Sequence, residues 1–141
     1  AETNILACLT AKRLGVRKTV ASVENFDYVN TADGLDIGTI INKKALAASH
    51  IYQMMLDANV ANVKFLMSIN ADVAEFVPSP DSKITRKVVR ELNLPKGVTI
   101  GGLVRNGEGM LVSGNTLIEA GDSVVVFCYN VDMKKVEKLF I

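Results

Sequence analysis

The chain has 141 residues, of which 49% are hydrophobic and 22% are charged, and its formal net charge is +1. The length suits one domain or two small ones, and the apolar share is large enough for a buried core, which excludes a disordered chain. The balance of 16 basic and 15 acidic residues lacks the strongly positive field of a nucleic-acid binder. No apolar stretch approaches the roughly 20 residues of a membrane-spanning helix, so we expect no direct membrane insertion.

Residues 1–58 alternate helical and β-rich segments. The pattern predicts helices over 3–14, 25–34 and 43–58, and short buried strands over 18–23 and 39–42. This alternation predicts parallel strands with helical crossovers, so we expect an α/β domain that forms the C-terminal part of a Rossmann-like sheet. Two strands alone leave an open edge, which predicts self-association or cover by another part of a longer domain.

Residues 59–141 are predicted to form a second, small α+β domain. The patterns indicate strands over 63–69, 73–78, 98–105, 110–112 and 123–128, and helices over 85–92 and 132–140. Asn106-Gly107 predicts a type I′ hairpin turn, which requires positive φ at both central residues. The apolar run at 123–128 predicts a central strand, and Gly121 in the turn before it is predicted to need positive φ.

Cysteine and histidine usage excludes further classes of protein. Cys8 and Cys128 lie near opposite ends of the sequence, which predicts free thiols and a reducing, cytoplasmic compartment. The single histidine, His50, cannot build a multi-histidine metal site, and no HExxH, GxSxG, GKS or GKT motif is present. We therefore expect a non-enzymatic module without a metal ion. The absence of an initial Met indicates a piece of a longer chain.

Specific stretches of both domains resemble a known family. ETNILACLTAKRLG, KTVASVENFDYV and LDIGTIINKK resemble the end of the nucleotide-binding RCK (TrkA-N) domain of the Trk potassium-uptake regulator family. The C-terminal domain is similar to the companion TrkA-C domain, most densely at LNLPKGVTIGGLVRNG and IEAGDSVVVFC. The resemblance covers nearly the whole chain, with the domain boundary at 58/59.

This resemblance implies a cytoplasmic regulatory subunit that assembles into a homodimer or larger ring. It implies a location at the inner face of the cell membrane, beneath a potassium transporter subunit whose gating responds to a nucleotide. NAD, ATP or ADP is the implied cofactor of the full-length protein. Because this chain contains no GxGxxG motif, we expect the 141 residues alone to bind no nucleotide.

Five residues are candidates for the rim of the nucleotide site. By the resemblance, Glu2, Thr3 and Asn4 match the start of a helix close to the family's nucleotide, although they equally suit simple helix capping. Glu24 and Asn25 follow the strand predicted at 18–23, and α/β folds bind ligands at the carboxyl ends of strands. A turn and a helix cap would also explain this second pair.

Two other functions stay open at this point. One is a nucleotide-dependent, dehydrogenase-like enzyme, which would need His50 or a carboxylate pair in a cleft. The other is a TrkA-C sensor domain that serves another transporter or a transcription factor. On the helix predicted over 43–58, Met54 and Met55 suit either a core or an adaptable interface. Lysines 134, 135 and 138 are predicted to face solvent.

Overall fold

A computed structural model of the protein describes residues 1–66 and 71–141. These residues form two units, Ala1–Ala48 and Ser49–Ile141. The division falls within a helix, whereas the domain boundary at 58/59 stays a prediction. Within the described residues, no helix is both long and apolar enough to cross a membrane.

The first unit contains a pair of parallel strands flanked by helices, as the alternating pattern predicts. Its elements are α1 (Glu2–Arg13), β1 (Val20–Ser22), α2 (Phe26–Asp33), β2 (Thr39–Ile41) and the start of α3 (Lys43–Met54). Val20 pairs with Thr39, and the parallel register continues to Ser22 and Ile41. One apolar cluster fills the space between helices and strands: Ile5, Cys8, Ala21, Val23, Ala32 and Ile37. Membership of a larger Rossmann-like sheet stays a prediction.

The second unit is a small α+β domain built on one antiparallel sheet. Its elements are β3 (Asn59–Leu66), β4 (Ala71–Val77), β5 (Val98–Arg105), β6 (Glu108–Leu111), β7 (Ser123–Tyr129) and α4 (Met133–Glu137). The strand order is β3-β4-β7-β5-β6, so β7 is central, as its apolar run predicts. The hairpin turn between β5 and β6 is also confirmed, with φ of 54° at Asn106 and 82° at Gly107.

The core of this unit lies on one face of the sheet. Alternate residues of the central strands are buried there, including Phe76, Val124 and Val126. The rings of Phe76 and Phe140 stack with centroids 4.6 Å apart, which joins the sheet to the residues after α4. Fully burying one such apolar side chain contributes about 1.5–3 kcal/mol, so this face holds much of the stability of the unit.

The prediction of a helix over 85–92 is wrong. Two short 3₁₀ turns form instead, at Lys83–Thr85 and Val89–Glu91. Val88 between them is extended, and the Val89 N–H donates to the Thr116 carbonyl at 3.0 Å. Because this amide bonds to a distant segment, it cannot join a helical ladder. The β-branched Val88 and Val89 also favour extended backbone.

Other predicted boundaries shift by a few residues. Helix α3 ends at Met54 rather than 58, and the Ala58 N–H donates to the Glu137 carboxylate at 2.6 Å instead of to a helical carbonyl. Strand β3 then begins at Asn59 rather than 63, and the end predicted for it, beyond Leu66, lies outside the described residues. Strand β6 covers Glu108–Leu111 rather than 110–112, and α4 ends at Glu137 rather than 140.

Gly121 provides a test of the turn that leads into the central strand. Its φ is +88°, a conformation that is strained for any residue with a side chain, although an added Cβ would meet no heavy atom within 4 Å. Gly121→Val should therefore lower the free energy of unfolding by about 1–3 kcal/mol. Gly109→Val is the matched control, because Gly109 is equally open and lacks a positive φ. Equal losses in urea unfolding followed by circular dichroism would contradict this explanation.

Candidate functional site

The carboxyl ends of β1 and β2 meet at one edge of the first unit. Glu24 and Asn25 follow β1, and Asn42 directly follows the neighbouring parallel strand β2. Parallel strands end side by side, and this edge is where α/β proteins place their ligands. The structure therefore gathers polar side chains from two strands at the predicted location.

Asn42 is the residue that organises this edge. Its side chain is only 3% exposed, and its Nδ2 donates to the Val23 carbonyl at 2.9 Å and to the Glu24 carbonyl at 3.2 Å. Its Oδ1 accepts from the Ala45 N–H at 2.9 Å, so it also caps α3. Sequence reasoning missed this residue. The sequence did contain one signal for it, because Asn42 is a polar residue placed between an apolar strand and a helix.

Asn4 and Glu24 come together around Ser22. The Asn4 Nδ2 donates to the Ser22 carbonyl at 2.8 Å, and the Ser22 hydroxyl donates to the Glu24 carboxylate at 3.3 Å. The Lys43 ammonium lies 3.5 Å from the same carboxylate. Asn25 caps α2, as its position predicts, by accepting from the Asp27 N–H at 3.0 Å. Each of these predicted site residues thus has a structural role at the strand edge.

Glu2 and Thr3 lie at the start of α1, which begins at Glu2. The prediction that Thr3 or Asn4 caps this helix is wrong, because no side chain caps it and Asn4 bonds to β1 instead. The pKa of the exposed Glu2 carboxyl is lowered, first by a backbone hydrogen bond and then by the Tyr28 hydroxyl. This contact brings Glu2 to α2, whereas Thr3 is simply exposed on α1. The ligand role of all five predicted residues stays a prediction.

An open cleft of about 500 Å³ lies beside this edge, lined by Glu24, Asn25, Phe26, Asp27 and Lys44. Two carboxylates and one ammonium line the cleft, the Lys43 ammonium lies 3.5 Å from Glu24, and the Asn25 Oδ1 is already used as a cap. The half-exposed Phe26 ring could stack on a base or another planar group.

The enzyme alternative required His50 or a carboxylate pair in a cleft, and only the second of these is present. His50 is exposed on α3 and does not line the cleft. Across residues 1–66 and 71–141, no group of three or more His, Cys, Asp or Glu side chains could hold a metal ion. The cleft does contain two carboxylates, Glu24 and Asp27, and Glu24 accepts from the Ser22 hydroxyl at 3.3 Å and lies 3.5 Å from the Lys43 ammonium.

A network of charged side chains lies at one end of the sheet of the second unit, between the end of β5 and the start of β7. The Arg105 guanidinium donates to both oxygens of Asp122, at 2.8 Å from Nε and 2.6 Å from Nη2. It also donates to the Glu119 carboxylate at 2.7 Å and to the Leu117 carbonyl at 2.9 Å. The Asp122 side chain is 2% exposed and accepts a further bond from the Glu119 N–H at 2.8 Å. Sequence reasoning missed this pair, whose members are 17 residues apart in the sequence.

A second set of contacts ties α3 to the last helix. The Tyr52 hydroxyl donates to Asp132 at 3.0 Å, and the same Asp132 oxygen caps α4 through the Lys134 N–H. Burial and the hydrogen bond to Asp132 raise the pKa of Tyr52 to about 12. The Gln53 amide donates to the Val60 carbonyl at 2.8 Å. One side of the last turns of α3 is therefore held by polar contacts.

Comparisons with known proteins all find similarity to TrkA proteins or to their TrkA-C domain. Residues 73–141 match the TrkA-C domain family. The chain is 35% identical over 137 residues to the Trk system potassium uptake protein TrkA of Azorhizobium caulinodans, which covers 97% of this chain and 30% of the relative. It is 32% identical over 143 residues to the protein of the same name from Vibrio alginolyticus, covering 99% of this chain and 31% of the relative. The chain thus spans about a third of the length of the curated relatives it matches.

The buried Arg105–Asp122 pair predicts a particular acid sensitivity. Arg105 holds the pKa of Asp122 below its ordinary value of 3.8, so the pair stabilises the folded state above that pH. This stabilisation is lost as the pH falls through the lowered pKa of the folded state. Asp122→Asn should cost about 1.5–3 kcal/mol at neutral pH, the range for hydrogen bonds to charged groups, and give a shallower loss of stability on acidification, measured by urea unfolding at several pH values.

Glu119→Gln is the matched control in the same network. Glu119 contacts the same guanidinium, but its side chain is 58% exposed, so its loss should cost less than about 1 kcal/mol. If the two variants lose equal stability, or if Asp122→Asn keeps the acid sensitivity of the parent protein, the assignment of the pair is contradicted.

Proposed function

Because the chain belongs to the TrkA family, we propose that it is the C-terminal regulatory part of a potassium-uptake protein. In this proposal it is non-catalytic, lies in the cytoplasm and biases the gating of a membrane potassium transporter subunit in response to a nucleotide. The observation that carries the proposal is the similarity of nearly the whole chain to proteins named for potassium uptake, together with the TrkA-C match.

The first unit supplies the nucleotide-facing part of this proposal. Residues 1–58 are proposed to be the end of a Rossmann-like RCK domain, and the parallel strands and polar strand edge support that role. NAD, ATP or ADP is the proposed cofactor of the full-length protein, with its phosphates held outside these 141 residues. Glu24, Asn25 and Phe26 would then contact its sugar or base.

The second unit is the part of this proposal that the transporter contacts. Residues 59–141 are proposed to act as the TrkA-C domain whose arrangement the transporter senses. A nucleotide shifts such an arrangement only by the difference between its affinities for the two states. The bidentate bond between Arg105, at the end of β5, and Asp122, just before β7, supports this role because it ties two neighbouring strands together.

Self-association is proposed to use the exposed side of α3. No residue of α3 is buried, and Ile51, Met54 and Met55 are all more than half exposed. Tyr52 and Gln53 on the other side of the helix make the polar contacts described above. Apolar side chains at helical spacing opposite an anchored side suit a second copy of the chain, and a symmetric dimer is the simplest closed assembly.

A chimera tests the proposed function. The segment of the Vibrio alginolyticus relative that this chain matches would be replaced by residues 1–141, and rubidium uptake measured in cells that lack their own regulator. We expect uptake near that of the intact relative, because the replaced segment keeps the same domain. A chimera with the segment deleted provides the background. Background uptake by a chimera that is folded and present at normal levels would contradict the proposal.

The helix-face proposal has its own test. Light scattering at tens of micromolar should show a dimer or larger assembly for the parent chain, and Ile51→Glu with Met54→Glu should give a monomer. Leu111→Glu is the matched control, because Leu111 is 90% exposed on β6 and its replacement adds the same kind of charge. A monomeric parent chain, or dissociation by Leu111→Glu alone, would show that α3 is not the interface.

A further inference from the structure

Six basic side chains lie on two segments that pack against each other in the second unit. We name this set the basic surface: Lys83, Arg86, Lys87, Lys134, Lys135 and Lys138. The Ile84 N–H donates to the Leu139 carbonyl at 3.0 Å, and the Ser79 N–H donates to the Phe140 carbonyl at 2.9 Å. These bonds place the loop after β4 directly beside the residues that follow α4, so the charges of the two segments form one surface.

The basic surface is not neutralised by its own carboxylates. All six cations are exposed, and none forms an ion pair with any residue in the described part of the chain. Of the nearby carboxylates, Glu137 is 5% exposed and bonds to Ala58, while Asp132 caps α4 and bonds to Tyr52. Asp81 is the remaining one, and it is exposed.

The charge distribution along the chain is therefore uneven. Residues 79–87 and 132–141 hold six of the 16 basic and three of the 15 acidic residues, which leaves ten basic and twelve acidic residues elsewhere. A nearly neutral chain thus carries one local positive field on a surface that its interior does not use. Such a field attracts a negatively charged partner.

The residue types of the basic surface favour a diffuse negative charge over a specific anionic group. Five of the six are lysines, which act as flexible point charges rather than as rigid forked donors. The only guanidinium, that of Arg86, already donates from Nε and Nη2 to the Asp81 carbonyl, at 3.1 and 2.7 Å. Protein interfaces are depleted in lysine and depend on aromatic and arginine anchors, whereas this set contains no aromatic residue and its one arginine is already bonded to Asp81.

We propose that the basic surface rests on the anionic headgroups of a lipid bilayer, without insertion into it. Clusters of four to eight lysines and arginines bind acidic lipids through such non-specific attraction. The contact would orient the second unit toward the membrane by its α4 side. This inference does not depend on nucleotide response or on potassium uptake.

Vesicle co-sedimentation tests the proposal on the full chain. The parent chain should bind vesicles of phosphatidylcholine with about a third phosphatidylglycerol, bind little to phosphatidylcholine alone, and dissociate as salt is raised. Lys134→Gln, Lys135→Gln and Lys138→Gln together should weaken binding to the acidic vesicles by more than about tenfold. Lys83→Gln with Lys87→Gln should weaken it as well, because both segments form the surface.

The matched control removes three exposed charges from the first unit instead: Arg13→Gln, Arg17→Gln and Lys18→Gln. Both triple variants have the same net charge, so only a localised contact distinguishes them. Equal weakening by the two triple variants would overturn the proposal, and so would equal binding to neutral and acidic vesicles. Binding to duplex DNA without binding to acidic vesicles would assign the surface to nucleic acid and would also overturn it. Unchanged circular dichroism spectra verify that all variants are folded.

Discussion

The bidentate pair between Arg105 and Asp122 is the constraint on which the second unit depends. Arg105 is the last residue of β5, and Asp122 immediately precedes β7, the central strand. The pair therefore joins two neighbouring strands at one end, where the hairpin and the Gly121 turn also lie. A nearly buried carboxylate without its guanidinium would carry a large desolvation cost.

The roles that we propose for this chain lie on several surfaces rather than in one pocket. The first unit offers a polar strand edge ordered by Asn42, which bonds to the Val23 and Glu24 carbonyls. The second unit is a sheet with a covered core and two surfaces that its core does not require: the outer side of α3 and the basic surface. This arrangement suits the regulatory role that we propose, in which the chain transmits contacts.

Local sequence signals predicted the elements that depend on neighbours along the chain. Asn106-Gly107 specifies its turn through backbone preference, and the β-branched run of β7 specifies a central strand. The segment 85–92 could not be predicted in the same way, because Val89 bonds to the distant Thr116. Asn42 and the Arg105–Asp122 pair were missed for the same reason. Their partners lie 17 to 19 residues away, and only the folded sheets bring them together.

A double-mutant cycle on Arg105 and Asp122 tests the central physical claim most directly. The free energy of unfolding would be measured by urea for the parent chain, Arg105→Ala, Asp122→Ala and the double variant at neutral pH. Our account predicts a coupling energy above the range of about 0.2–1 kcal/mol that exposed ion pairs show. Additive losses, with a coupling near zero, would show that the two residues act independently and that this pair does not hold the sheet together.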